Sequence, residues 1–446
     1  MPNAAVVFII NKGKFGGGMD NRVLLKLLKS EMMPAMGCTE PAAAALCGAK
    51  AHELLKNARI SKLIVMASRD MIKNAMGVSI PSSQKKGICF AVALGYAIGS
   101  TSEGLNLLSK ISAEQKRIAS EIQTELVPAK DVPSLYIGVR AECASGEYAV
   151  AIVSGVHDRF SHIELNGRVL VDESPGLKYD DTGSHNMLMN LTFEDVIGFA
   201  ESLTPEDLGF ITDAVETNTK IADFSLHKDF GLEVGKTMLE DIPEPVSSLK
   251  DAFSKGAALA AAGSDARMSG CPMPVIINSG SGNQGITVTV PVKVVADYLK
   301  LSKEKTARAV CISELVGLIL TAHKTRLSAL CGVFTAAIGT ACAWVYLLDG
   351  DSAMMCRALN AMVGNLAGII CDGAKNTCAL KIYSSLECAS MSVRLALKGI
   401  SPGGESGIVG DRISETIGNL SRLCNEGMRE TDMTVVSIMV GKNQSK

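Results

Sequence analysis

Aromatic side chains are scarce in this chain: one tryptophan, seven tyrosines and eleven phenylalanines among 446 residues. A core that cannot rely on large rings must fill its space otherwise. The abundance of alanine, glycine and methionine points to helices whose backbones approach one another closely. An excess of charge is lacking too. The formal net charge is −2 with no basic block, which argues against a nucleic-acid partner. Internal repeats and low-complexity tracts are absent. So are C-x-x-C pairs, and with them the usual sign of a structural zinc site.

What is present bounds the architecture. The length suffices for two or three domains, each able to bury a core. The thirteen cysteines are odd in number and scattered through apolar runs. That pattern suits reduced thiols in a cytoplasm rather than a disulfide scaffold. Val6–Ile10 is too short for the apolar part of a signal sequence. Leu327 to Leu348 runs uncharged for long enough to span a bilayer. Its alanine, glycine, threonine, cysteine and valine content reads instead as a buried helix, so no membrane partner is expected.

The pattern along the chain predicts an α+β protein, with a large all-helical catalytic domain and a smaller α/β domain containing an antiparallel sheet. Residues 1–18 are expected to be an arm that is not necessarily native. Residues 19–58 form a helical segment packing on the catalytic domain, 59–232 the α/β domain, and 233–446 the helical domain. A helical pattern from about Asn21 to Asn57 contains Thr39 as a predicted N-cap, with Pro41 in the first turn. Ser61–Ser68 reads as a strand. So do Ser134–Val139, Glu147–Val153, Arg159–Leu165 and Arg168–Asp172, the last two joined by an Asn166-Gly167 hairpin turn. Thr192-x-x-Asp195 and Thr204-Pro205-Glu206-Asp207 read as capped helix starts.

Three stretches carry chemistry. In Met36-Gly37-Cys38-Thr39-Glu40-Pro41, Cys38 falls beside a helix N-terminus, which favours the thiolate. In Asn278-Ser279-Gly280-Ser281-Gly282-Asn283-Gln284-Gly285, a G-x-G-x-x-G match lacks the strand–helix–strand context of a dinucleotide site. Its glycines, hydroxyls and amides suit a nest of backbone N–H groups for a carboxylate or phosphate. The third runs from Cys371 to Cys378 and, with Cys331 upstream, can hold a soft metal centre with one position left open. Lys73 and Asn74 are second candidates for gripping a carboxylate. Asp265 and Arg267 either support the same pocket or form an ordinary ion pair.

Gly37–Pro41, Asn278–Gly285 and Cys371–Lys381 together resemble the L-cysteine desulfidase family, itself similar to the α-chain of iron–sulfur L-serine dehydratases. The likeness runs from about Met19 to the C-terminus. It implies a pyridoxal-phosphate-independent [4Fe–4S] lyase that converts L-cysteine to pyruvate, ammonia and sulfide. It also implies cluster ligation by Cys331, Cys371 and Cys378, with Cys342 a rival for the first position. Cys38 would be either the general base or an alternative ligand. Ser279, Gly280, Ser281, Gly282, Asn283 and Gln284, with Lys73 and Asn74, would bind the amino-acid substrate, and Lys375 would offset cluster charge. A serine or threonine dehydratase on the same cluster is the competing reading. A non-catalytic iron–sulfur sensor would need neither the nest nor Cys38. A homodimer is compatible with this picture.

Overall fold

The computed structural model describes residues 21–37, 39–56, 58–80, 83, 85–173, 181–324 and 328–444. Residues 1–18 and Cys38 lie outside that set.

Period-two alternation of apolar residues builds the sheet. Strands β2 (Ile60–Ala67), β3 (Thr124–Pro128), β4 (Tyr136–Cys143), β5 (Tyr148–Ser154), β6 (Phe160–Leu165) and β7 (Arg168–Asp172) join in the order β3-β2-β4-β5-β6-β7. All pairings are antiparallel except β2 with β3, so the expected antiparallel sheet carries one parallel edge strand. Asn166 and Gly167 both have positive φ, 49° and 83°, as a type I′ hairpin turn requires.

The predicted helix from Asn21 to Asn57 is interrupted. Helix α1 (Asn21–Glu31) ends before a three-residue strand, β1 (Pro34–Met36), and α2 (Thr39–Leu55) follows. Pro34 cannot continue a helix, because it lacks the N–H and restricts the residue before it. β1 pairs antiparallel with β8 (Pro274–Ile276), which directly precedes the glycine-rich loop. Thr39 is the first residue of α2 rather than its cap, and its hydroxyl contacts the Glu40 carboxylate at 3.3 Å.

Two apolar cores form. One gathers α2, α3 (Arg69–Met76), α4 (Ile88–Ile98) and α5 (Ala113–Glu121) against the sheet. The other is helical. It takes in α1, α6 (Asp181–Asn190), α7 (Phe193–Ser202), α8 (Gly209–Ser225), α9 (Val234–Leu239) and α10 (Leu249–Met268). It continues through α11 (Gly282–Tyr298), α12 (Lys303–Lys324), α13 (Gly332–Leu347), α14 (Ser352–Leu366), α15 (Cys378–Ala396) and α16 (Ile413–Arg422). A π-turn, Leu423–Gly427, then leads to α17 (Arg429–Gln444).

These cores divide the chain differently from the expected boundaries. α1 packs with the helical core, but α2 packs on β4, β5 and α4 because its alanines permit backbone contact. A Cβ on Gly95 would lie 1.8 Å from the Ala45 carbonyl oxygen. Helices α6 to α8, expected with the sheet, belong to the helical core.

The Thr192/Asp195 capping box opens α7 as expected. Thr204 and Asp207 exchange the same bonds, but in a turn before α8. The uncharged stretch Leu327–Leu348 becomes α13, a 16-residue helix buried along most of its length. The one helix among the described residues long and apolar enough to cross a membrane is α12, and 89% of its apolar window is buried inside the protein.

Candidate active site

The site is assembled where the two cores meet. Three of its walls are helix N-termini. Asn278 and Ser281 exchange backbone hydrogen bonds (3.1 and 2.9 Å) across Ser279 and Gly280, whose φ values are 51° and 77°. This tight turn delivers Ser281 as the N-cap of α11, where its hydroxyl accepts from the Gln284 N–H at 3.5 Å. The N–H groups of Gly282 and Asn283, the first two helical residues, have no hydrogen-bond partner among the described residues. A helix start leaves such donors open for an anion. The loop is thus a tight turn that leads into a helix start with open N–H groups, without the strand–helix–strand unit of a dinucleotide motif.

The turn is braced from behind. Asn278 donates to both the backbone carbonyl (3.1 Å) and the side-chain carboxyl (2.6 Å) of Glu314 on α12, and Ser279 donates to Asn278 Oδ1 (2.9 Å). Glu314 has no exposure to solvent, and burial pushes its carboxyl up to about 8. Gln284 reaches toward the cysteine region. A Cβ on Gly332 would lie 2.6 Å from Gln284 Nε2, so only glycine at the start of α13 leaves room for that side chain.

The cysteines come together from two directions. The Cys331 N–H bonds the Ile369 carbonyl (3.0 Å), the Cys371 N–H bonds the Ala329 carbonyl (2.6 Å), and Leu330 bridges Ile370 antiparallel. This short ladder sets the Cys331 and Cys371 thiols against each other, sharing a hydrogen bond. Cys378 opens α15, with its sulfur 3.8 Å from the Gly373 carbonyl oxygen and its side chain packed with Val78 and Met268. The three thiols interact electrostatically with one another. Cys342, the rival for the first position, is wholly buried in mid-α13 and interacts instead with Cys356.

Cations surround this group. The hydrogen bond from Cys331, with the charge of Lys73 nearby, draws the Cys371 thiol below its ordinary value, whereas burial pushes Cys378 up. Lys324 is 1% exposed and interacts with Cys371 and Cys331. Lys375 lies 2.9 Å from Asp372, which also receives Lys381, and both ammonium groups favour the Cys378 thiolate. Neither Lys324 nor Lys381 stood out as a site residue in the sequence, because nothing local distinguishes a lysine that tertiary packing will bring beside the cysteines.

Soft donors, burial and nearby ammonium groups fit an anionic iron–sulfur group. Among the described residues no three histidine, cysteine or acidic side chains converge as they would around a single metal ion. A cluster makes a different demand, since each thiolate binds a separate iron.

The expected pair Lys73 and Asn74 is in place but engaged. Lys73 is 1% exposed and ion-paired with Asp432 (2.5 Å) and Asp70 (3.4 Å). Burial opposes its charge, but Cys371, Asp432 and Asp70 outweigh burial and raise its pKa. Asn74 donates to Glu40 Oε1 at 3.0 Å. Asp265 and Arg267 do not pair. Asp265 accepts N–H bonds from Leu232 (3.1 Å) and Gly235 (3.3 Å), while Arg267 donates to the Gly37 carbonyl (2.7 Å) and Asn283 Oδ1 (3.1 Å). Arg267 thereby ties the α2 start to the nest.

Three thiols brought together beside lysines, next to a helix start that reaches them through Gln284, fit an iron–sulfur, serine dehydratase-like protein. The profile of the serine dehydratase alpha chain matches residues 102–437, and the chain belongs to that family. Among its relatives is the UPF0597 protein of Aeromonas salmonicida, 36% identical over 426 residues, which cover 95% of this chain and 97% of that one. Those of Clostridium perfringens (36% over 426 residues; 94% and 98%) and Bacteroides fragilis (BF3560; 36% over 430 residues; 95% and 99%) match similarly. The family resemblance carried by the three motifs is borne out.

Proposed function

We propose that this protein is an L-cysteine desulfidase, a lyase that converts L-cysteine and water to pyruvate, ammonia and hydrogen sulfide on a [4Fe–4S] cluster. The observation that carries the reading is the convergence of Cys331, Cys371 and Cys378 with the nest at 278–285, bridged by Gln284 over Gly332. When bound by three thiolates, the cluster supplies a Lewis-acidic iron for the β-substituent.

The remaining work falls to the chain. The N–H groups at the start of α11 hold the α-carboxylate and orient the β-carbon toward the cysteines. Cys38, at the residue before α2, takes the α-proton at its sulfur as general base. The C–H electron pair becomes the Cα–Cβ double bond as sulfide leaves with its bonding pair. The resulting aminoacrylate tautomerises to the imine and hydrolyses without further help. Lys73 and Lys375 act on charge: each is already bound to an aspartate, and each stabilises a neighbouring thiolate.

A second reading, L-serine dehydratase, draws support from the name of the matching family. Anaerobically reconstituted protein incubated in parallel with L-cysteine and L-serine separates the two. Sulfide and pyruvate release from L-cysteine at the higher kcat/KM is expected. Preference for L-serine would replace the first reading with the second. Failure on both, with no bound iron, would end both. Cys378→Ala is expected to lose iron and acid-labile sulfide, and Cys38→Ala to keep them while losing turnover.

A further inference from the structure

The geometry points to Arg267 as the residue that recognises the α-carboxylate of an amino-acid ligand. This inference rests on the proposed reaction class but assigns specificity to a residue outside the nest. Arg267 lies in the last turn of α10 and is 4% exposed. Both of its hydrogen-bond acceptors, the Gly37 carbonyl and Asn283 Oδ1, are neutral, and no carboxylate pairs with it among the described residues. Its Nε is buried without a partner. A buried guanidinium left without an anion is costly, and a planar fork of N–H donors matches a carboxylate.

The surroundings offer a place for one. The guanidinium lies against Gly282 so closely that a Cβ there would be 2.4 Å from Nε. Gly282 and Asn283 present their free N–H groups at the same helix start. The Gly37 contact also places the guanidinium two residues from the start of α2, whose N-terminus carries a partial positive charge. A cation and two helix starts therefore face one region, one residue in sequence from Cys38. Lys73 does not compete for this role, since Asp432 and Asp70 already neutralise it.

The test uses the reconstituted holoenzyme with Arg267→Gln and Arg267→Lys. L-Alanine keeps the carboxylate and amine but has no leaving group, while cysteamine keeps the thiol and amine but has no carboxylate. By isothermal titration calorimetry, the glutamine variant is expected to bind L-alanine roughly 100-fold more weakly and cysteamine as tightly as wild type. Partial recovery of L-alanine binding is expected for the lysine variant. A glutamine variant with wild-type iron content and circular dichroism that binds L-alanine normally overturns the assignment. Equal weakening of both ligands in both variants also overturns it, because it marks a structural role. Arg267-dependent L-alanine binding without turnover of cysteine or serine would sink the proposed reaction and leave the assignment standing. Turnover by a glutamine variant with unchanged KM would do the reverse.

Discussion

Glu314 shows how a single buried group links the site to pH. Its carboxyl is protonated in the folded protein up to about 8, because burial disfavours the charged form, whereas an unfolded glutamate ionises near the ordinary value of 4.5. Between those values the native state holds a proton that the unfolded state has released. Stability contributed at this position is therefore full below about 4.5 and declines as pH rises toward 8. Glu314→Gln keeps an oxygen to accept from Asn278 but cannot ionise. Its chemical-denaturation midpoint should exceed the wild type's at pH 8 and approach it at pH 5, and a gap independent of pH would refute this account. Single residues were unevenly legible in the sequence. Cys331 meets the Cys371 thiol, whereas Cys342 lies in mid-α13 beside Cys356, a difference that spacing along the chain does not reveal. The fate of Arg267 was open, because a charged residue between Ala266 and Met268 carries no sign of what it will face across 230 positions of chain.

At the scale of elements, the loop from Cys371 to Cys378 is fitted against the end of α3 with no slack. Gly373 has a φ of 92°, and a Cβ there would lie 2.0 Å from the Lys73 carbonyl oxygen. The reason for glycine is thus twofold: a left-handed turn and a backbone-to-backbone contact with the α3 segment that bears Lys73. Gly373→Ala combines positive-φ strain with overpacking, about 3 kcal/mol together. A lowered melting temperature and substoichiometric iron after reconstitution are expected, and a fully loaded variant of unchanged stability would contradict the packing argument. The strands β4 to β7 and their Asn-Gly hairpin were readable because period-two burial and positive-φ turns are local properties. The β1–β8 pair was not. Three residues carry too little pattern, and their partner lies some 240 positions away.

At the scale of the molecule, the cores share the site rather than owning it. The sheet core supplies the start of α2 and the end of α3; the helices of the other core carry the 278–285 loop, Arg267 and the three cysteines proposed as ligands. Loss of the proposed cluster would leave Lys324 and its neighbours with less negative charge to face, and any group that binds only the folded state adds to its stability. Anaerobic protein stripped of iron by a chelator should melt at a lower temperature than the reconstituted form, and reloading should restore it; identical melting curves would show the cysteines to be energetically idle. The α+β class and helical content were legible from composition, but the partition was not. A helix rich in alanine can pack on either layer, and only its close fit to α4 decided which. The β1–β8 ladder has a consequence for assembly. It clamps the strand that leads into α2 to the strand that leads into the 278–285 loop, so those two helix starts are held together only once segments some 240 positions apart have paired. A chain in which that pair has not formed lacks the complete site proposed for the amino acid.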